Sequence, residues 1–205
     1  MPSTEELLAL AIAVAFAAGL NLSAVLVTLG LLSQAGILVL PGPIAVIGEW
    51  WVIAISAMLF VLEFFADKVP AFDLVWNALL TLIRVPAGAL LAFAATDALG
   101  TGAQLAAAAA GGAATLAAHG TKLTVRSSVT ASPVPFSNVG VSLAEDVAAI
   151  GLTWFAVEHP YIAAGIVLAL IAAAIILVRM IIGALRMVFR GASRQWAARA
   201  ADDGG

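Results

Sequence analysis

Residues 161–178, "YIAAGIVLALIAAAIILV", run through eighteen positions without a charged side chain. A run of that length predicts a helix crossing a bilayer, where the backbone finds no hydrogen-bond partner except itself. Other stretches are nearly as apolar. The chain as a whole is 63% hydrophobic and 10% charged, against about 45–50% and about 25% in soluble domains. The fold class expected is therefore all-α, a polytopic transmembrane helix bundle. The 205 residues leave room for about five to seven spans of about 20 residues, and for no separate soluble domain. With no Cys, disulfides and thiolate metal sites are excluded, and no cofactor or metal is expected. A net charge of -3 gives no support to nucleic-acid binding.

Residues 7–20 have the composition of a signal-peptide core. Glu5 and Glu6 precede them in place of positive charge, and no clean cleavage site follows. The segment reads as a retained first helix, started by a Ser3–Glu6 capping box and running to about Leu32. Asn21 lies in "GLNLS", where Gly, Asn and Ser predict a bend. Pro41 and Pro43 break the chain before a helix over 47–68, anchored at one interface by Trp50 and Trp51. Pieces 73–84 and 86–95 are each too short to span. They form either one helix kinked at Pro86 or a re-entrant hairpin, and the hairpin is preferred. Thr101 and Gln104 suggest a capping box before an Ala- and Gly-rich, centrally packed helix. A polar loop over 127–138 and a helix from Ser142 to Glu158 follow.

"FFADKVP" (64–70) and "WFAVEHP" (154–160) both place an aromatic, a Phe, an Ala and a closing Pro at matched spacing. They suggest an inverted repeat of halves 1–98 and 99–190. Arg179, Arg186, Arg190 and Arg194 fall on one helical face and Arg199 follows, with Phe189 and Trp196 available for lipid. This predicts a basic amphipathic helix on an anionic leaflet, a tail over 191–205, and a cytoplasmic C-terminus. The partners expected are the lipid bilayer, anionic lipids at that helix, and another copy of the chain.

Charges inside such a chain have to pair, meet water or sit at an interface, since each costs about 2.5–3.5 kcal/mol at mid-bilayer. Glu63 and Asp67 are four apart and share a helix face, while His119, Lys122 and Arg126 form a second stripe. The two are expected to meet, Asp67 pairing with Arg126 or Lys122. Arg84 is expected at the hairpin tip, its planar fork free for a carboxylate or phosphate. Lys68, Glu145 and Asp146 complete the candidate pathway, and Asn21, Pro70, Asp73, Pro86, Gly88 and Ser142 are candidate hinge or structural positions. Plainer readings exist: Asp67 and Lys68 snorkelling at a helix end, Asp73 as an N-cap, and Ser142 with Glu145 as a capping box.

"GLNLSAVL", "LEFFADKVPAFDLVWNALLTLIRVPAGALLA", "AAHGTKLTVRSSVTASPVPFSN" and "VSLAEDV" resemble, in this order, the motifs of an uncharacterised bacterial membrane family, domain of unknown function 4126. The resemblance marks Glu63, Asp67, Lys68, Pro70, Asp73, Arg84, Pro86, Gly88, His119, Arg126, Ser142, Glu145 and Asp146. Lys122 and "SPVPFSN" depart from the Gly-rich version of that pattern. It implies a bacterial inner-membrane protein and supplies no activity. The leading expectation is a small transporter, flippase-like protein or channel with a buried charged centre, either for an anionic solute or lipid head group with proton coupling or with a cation path along the carboxylates. The alternative is an accessory membrane subunit whose charges lock helices together. No nucleophile with a matched base supports an enzyme.

Overall fold

The computed structural model describes residues 3–67, 70–130, 137–177, 179 and 180, with side chains described at these except at 70–76, 78, 128–130, 137 and 138. Lys68, residues 131–136 and the tail residues Arg186, Phe189, Arg190, Arg194, Trp196 and Arg199 lie outside the described residues, and the loop expected over 127–138 is corrected at both ends, since 127–130 and 137–138 are helical. The described residues are helices and short connections, with no strand among them. The chain divides into two compact units, Met1–Leu168 and Ala169–Gly205, and the candidate site lies wholly in the first.

Helix α1 (Thr4–Leu20) starts on the expected capping box: Glu6 N–H donates to Ser3 Oγ at 3.1 Å, and Ser3 N–H donates to Glu6 Oε2 at 2.7 Å. It stops at Asn21, whose backbone is extended (φ -151°, ψ 102°). The Asn21 N–H still donates to Ala17 O, while its side-chain oxygen accepts from Ala24 N–H at 2.9 Å and so starts α2 (Leu22–Gln34). One residue ends one helix and caps the next, which an amide side chain does well and an aliphatic one does not. Past α2 the chain turns at Gly36, whose φ of +72° lies in the left-handed region. A 3-10 turn (Gly42–Gly48) leads into α3 (Trp50–Ala66) across a 67° bend. Trp50 and Trp51 stand exposed at the start of α3.

The broken pair thus occurs at 42–66, and the expected half-length pieces 73–84 and 86–95 are corrected to one continuous helix, α4 (Pro70–Ala95), with Pro86 inside it. A proline removes one main-chain donor but does not end a helix held by its neighbours, and α4 packs closely on α5 (Thr101–Thr130). A Cβ on Gly88 would collide with Thr115 Oγ1, and one on Gly111 would collide with Ala92 Cβ. Thr115 itself donates to Ala15 O at 2.7 Å, tying α5 to α1. Two expected caps move as well. Thr101 already lies within α5, and Gln104 Nε2 donates to Asp97 Oδ1 at 3.3 Å. Helix α6 (Ser137–Glu158) begins more than a turn before Ser142, and Pro160 opens α7 (Pro160–Leu177).

The side chains are distributed inside out. On α4, Leu79, Leu82, Ile83 and Leu90 are exposed while Arg84 is 1% exposed. On α3, Leu59, Leu62 and Phe65 are exposed while Glu63 is buried. In water both arrangements would cost energy. Against hydrocarbon both are the expected state, because lipid tails solvate Leu and exclude charge. The chain is a membrane protein. Among the described residues, Val139–Glu158 and Pro160–Leu177 are long and apolar enough to cross, and the bent pair over 42–66 makes a third if it counts as one span. That is fewer than the five to seven estimated from length. Asn21 divides one apolar run into helices of 17 and 13 residues, and the charged stripe lowers the apolar content of α5.

Candidate functional site

Helix α5 buries one continuous stripe. Ala107, Gly111, Ala114, Thr115 and Ala118 come first and let neighbouring backbones approach; His119, Lys122 and Arg126 follow along the same face. Opposite them stand Glu63 and Asp67 at the end of α3, Asn77 and Arg84 on α4, and Glu145 on α6. Arg84, Lys122 and Arg126 are each at most 2% exposed.

Arg84 donates through Nη2 to Glu63 Oε1, and through Nη1 to Asn77 Oδ1 and to His119 Nδ1, both at 3.0 Å. A guanidinium only donates, so His119 Nδ1 accepts and the ring proton sits on Nε2, 3.0 Å from Asn77 O. The Thr81 hydroxyl, 2.8 Å from Nε2, is free to donate to Asn77 O at 3.1 Å. Lys122 Nζ donates to Leu20 O at 3.0 Å and lies 3.4 Å from Asp67 Oδ2, 3.4 Å from Glu145 Oε2 and 3.6 Å from Glu63 Oε1. Arg126 donates through Nη2 to Asp67 Oδ2 at 2.6 Å and to Glu145 Oε2 at 2.5 Å, and through Nε to Glu145 Oε2 at 2.9 Å. Three cations and three carboxylates from four helix segments therefore form one net.

The helix break belongs to it. The last carbonyls of α1 have no partner within the helix. Leu20 O receives the Lys122 ammonium, whereas Gly19 O, 3.3 Å from His119 Nδ1, takes no proton from that nitrogen because it accepts from Arg84. A cation is favoured there because the C-terminal end of a helix carries partial negative charge. On the other side of the break, Asn21 Nδ2 donates to Asp146 Oδ1 at 2.8 Å.

The expected pairing of Asp67 is present with both Arg126 and Lys122. Three expectations are corrected. Arg84 is no hairpin tip: it lies inside α4 with its fork filled by Glu63, Asn77 and His119. Ser142 and Glu145 form no capping box, because α6 is already under way at Ser137, and Glu145 turns to Arg126. Residue 73 lies inside α4 rather than at its N-cap, and its side chain is outside the described set, as is that of Pro70, the first residue of α4. Pro86 and Gly88 lie on α4 and are not members of the ion-pair net, and a Cβ on Gly88 would meet Thr115. Asn77, Thr81 and the Gly19 and Leu20 carbonyls join the site without having been expected there. Asn77, Thr81 and Arg84 at i, i+4 and i+7 carry a readable helical stripe, whereas a carbonyl freed by a helix break leaves no mark on side-chain patterning.

A separate apolar cavity of about 410 Å³, lined in part by Leu10, Val14, Leu29, Leu40 and Leu91, includes no member of the net. Among the described residues no group of three or more His, Cys, Asp or Glu side chains is arranged to hold a metal ion.

The family described as Domain of unknown function (DUF4126) matches the chain over residues 8–180. That is well over half of the 205 residues, and the chain belongs to this family. No curated protein and no solved structure matches it.

Proposed function

We propose that this member of the DUF4126 family is a small multi-pass transporter, flippase-like protein or channel of the bacterial inner membrane, built around its buried charged net. The observation that carries this reading is the placement of Arg84, Lys122 and Arg126, with their carboxylates, at an interrupted helix beneath an apolar exterior. Broken helices and buried ionisable groups mark solute and ion paths in membranes, because both cost energy that a purely structural bundle avoids. The chemistry suits an anionic solute or lipid head group. Arg126 holds Glu145 through Nε and Nη2 and Arg84 holds Glu63 through Nη2, and a carboxylate or phosphate on a substrate suits the same donors. An entering anion would displace Glu63 or Glu145, and charge balance then calls for a proton to accompany it. The matched "FFADKVP" and "WFAVEHP" blocks each end a helix and open the next on their Pro, which supports reading 1–98 and 99–190 as related halves.

A second reading has its own support. Every cation of the net has a carboxylate partner, and the Lys122 side chain is 0% exposed. Sealed pairs of that kind suit an accessory subunit whose charges fix helix register. Labelling decides between them. The chain has no Cys, so Thr81→Cys and Ser142→Cys place thiols beside the net without removing a charge, and Gly100→Cys in an exposed turn serves as control. Reaction of the thiol at position 81 or 142 with a membrane-impermeant reagent supports a water-filled path. Full protection of both, with the thiol at position 100 labelled, hands the chain to the accessory reading.

A further inference from the structure

Several threonine hydroxyls on the helices turn back onto the main chain. Thr28, Thr81, Thr96, Thr121, Thr124 and Thr153 each donate to the carbonyl four residues back at 2.7–3.1 Å. Ser142 makes no such bond. Its Oγ is buried, at 0% residue exposure, and has no partner among the described residues. Asp146 lies one turn further along the same face of α6, 3% exposed; Oδ1 accepts from Asn21, while Oδ2 has no partner among the described residues. A buried hydroxyl and a buried carboxylate oxygen left open one turn apart are rare, because each forfeits the hydrogen bonds it had in water. The charge count points the same way. Among the described residues, Arg84, Lys122 and Arg126 are matched by Glu63, Asp67 and Glu145, so Asp146 is a fourth carboxylate against three cations.

We propose that Ser142 Oγ and Asp146 Oδ2 are ligands of a monovalent cation site at the α1–α2 break, with Na⁺ the ion it takes. A single positive charge balances the one carboxylate left unmatched among the described residues. A hard alkali cation takes the oxygen donors present, while a divalent ion draws on more carboxylates than one. Asn21 holds Oδ1 from the other side and leaves Oδ2 open to the ion. Water or neighbouring carbonyls complete the shell. The site goes beyond the transport reading, since the ion binds whether or not a solute moves.

The test uses the purified full-length protein in detergent. Its thermal midpoint is followed against NaCl, with choline chloride replacing it at constant ionic strength. A ligand that binds the folded state raises the midpoint in a saturable way. The expected result is a Na⁺-specific rise that Asp146→Asn abolishes. Ser142→Ala should move the half-saturating Na⁺ concentration up by about fivefold, the worth of one ligand hydrogen-bonding group. Direct binding of radioactive Na⁺ to wild-type and Ser142→Ala protein covers the case in which Asp146→Asn fails to fold. Equal effects of Na⁺ and choline, or a Na⁺ response and Na⁺ binding unchanged by Ser142→Ala, overturn the proposal and leave a buried water at the position.

Discussion

Arg126 holds Asp67 twice: Nη2 donates to the Asp67 carboxylate at 2.6 Å and Nη1 to the Asp67 main-chain carbonyl at 3.1 Å. Asp67 is the residue on which α3 ends. A guanidinium 59 positions further along the chain therefore closes that helix end and neutralises the acid beside it. Only a fork can do both while still donating to Glu145.

Arg126→Gln leaves Asp67 and Glu145 short of a cation in a buried site, and should cost about 3–5 kcal/mol of stability. Arg126→Lys should recover only part of this, because one ammonium cannot reach the same set of acceptors. Combining Arg126→Gln with Glu145→Gln should cost less than the sum of the two single changes, by about 0.5–3 kcal/mol. Denaturation midpoints of the wild type and these variants in detergent measure it. Strict additivity would show that Arg126 and Glu145 do not act as a pair.

Asn21 offers a swap. Asn21→Asp keeps a good N-cap for α2 but brings a second carboxylate against Asp146, in place of the 2.8 Å hydrogen bond. It should destabilise more than the loss of a cap, about 1 kcal/mol, would explain. Adding Asp146→Asn restores one acid and one amide with their roles exchanged, and should regain most of the loss. Melting curves of the two single variants and the double one check this, and a double variant no better than Asn21→Asp would separate the two residues.

Much of the site is legible in the sequence because charge is expensive in an apolar chain. Glu63–Asp67 and His119–Lys122–Arg126 stand out as two helical stripes, and pairing with each other is one of the few ways such a chain can hold them. The bend at Asn21 is legible for a related reason, since Gly, Asn and Ser weaken a helix locally. Pro86 misleads. Its local signal is that of a helix break, yet α4 continues because Gly88 and Gly111 let it lie against α5, and that contact joins residues with no local pattern in common. Ser142 and Glu145 mislead in the same way. Their spacing is that of a capping box, and only the start of α6 at Ser137 reveals that the signal is spurious.

The close approach of α4 and α5 gives a contrast between glycines. At Gly88 a methyl group would collide with Thr115 Oγ1, and Thr115 is itself held by Ala15 O. Gly88→Ala should destabilise by about 1–3 kcal/mol through forced movement of α5. Gly120, on the same helix as Thr115, has nothing within 4 Å of such a methyl group. Gly120→Ala should be neutral or stabilising by up to about 1 kcal/mol, since alanine favours helix. Thermal midpoints that fall for Gly88→Ala and hold or rise for Gly120→Ala confirm the packing, and two equal shifts contradict it.

Leu82 and Leu91 share α4 but face different surroundings, Leu82 being 76% exposed and Leu91 6%. In water, exposure would make Leu82 tolerant of any polar substitution. Facing lipid, Leu82→Ala should change stability little, whereas Leu82→Lys puts an ammonium into hydrocarbon and should lower membrane integration by about 2.5–3.5 kcal/mol if the position is near mid-bilayer. Leu91→Ala should cost about 2–5 kcal/mol in stability through the cavity it leaves, with integration preserved. The yield of each variant in carbonate-washed membranes, followed by its melting temperature, separates the two effects. Recovery of Leu82→Lys at the wild-type level would place this face of α4 against water, and the inside-out arrangement would then need an aqueous vestibule on that side.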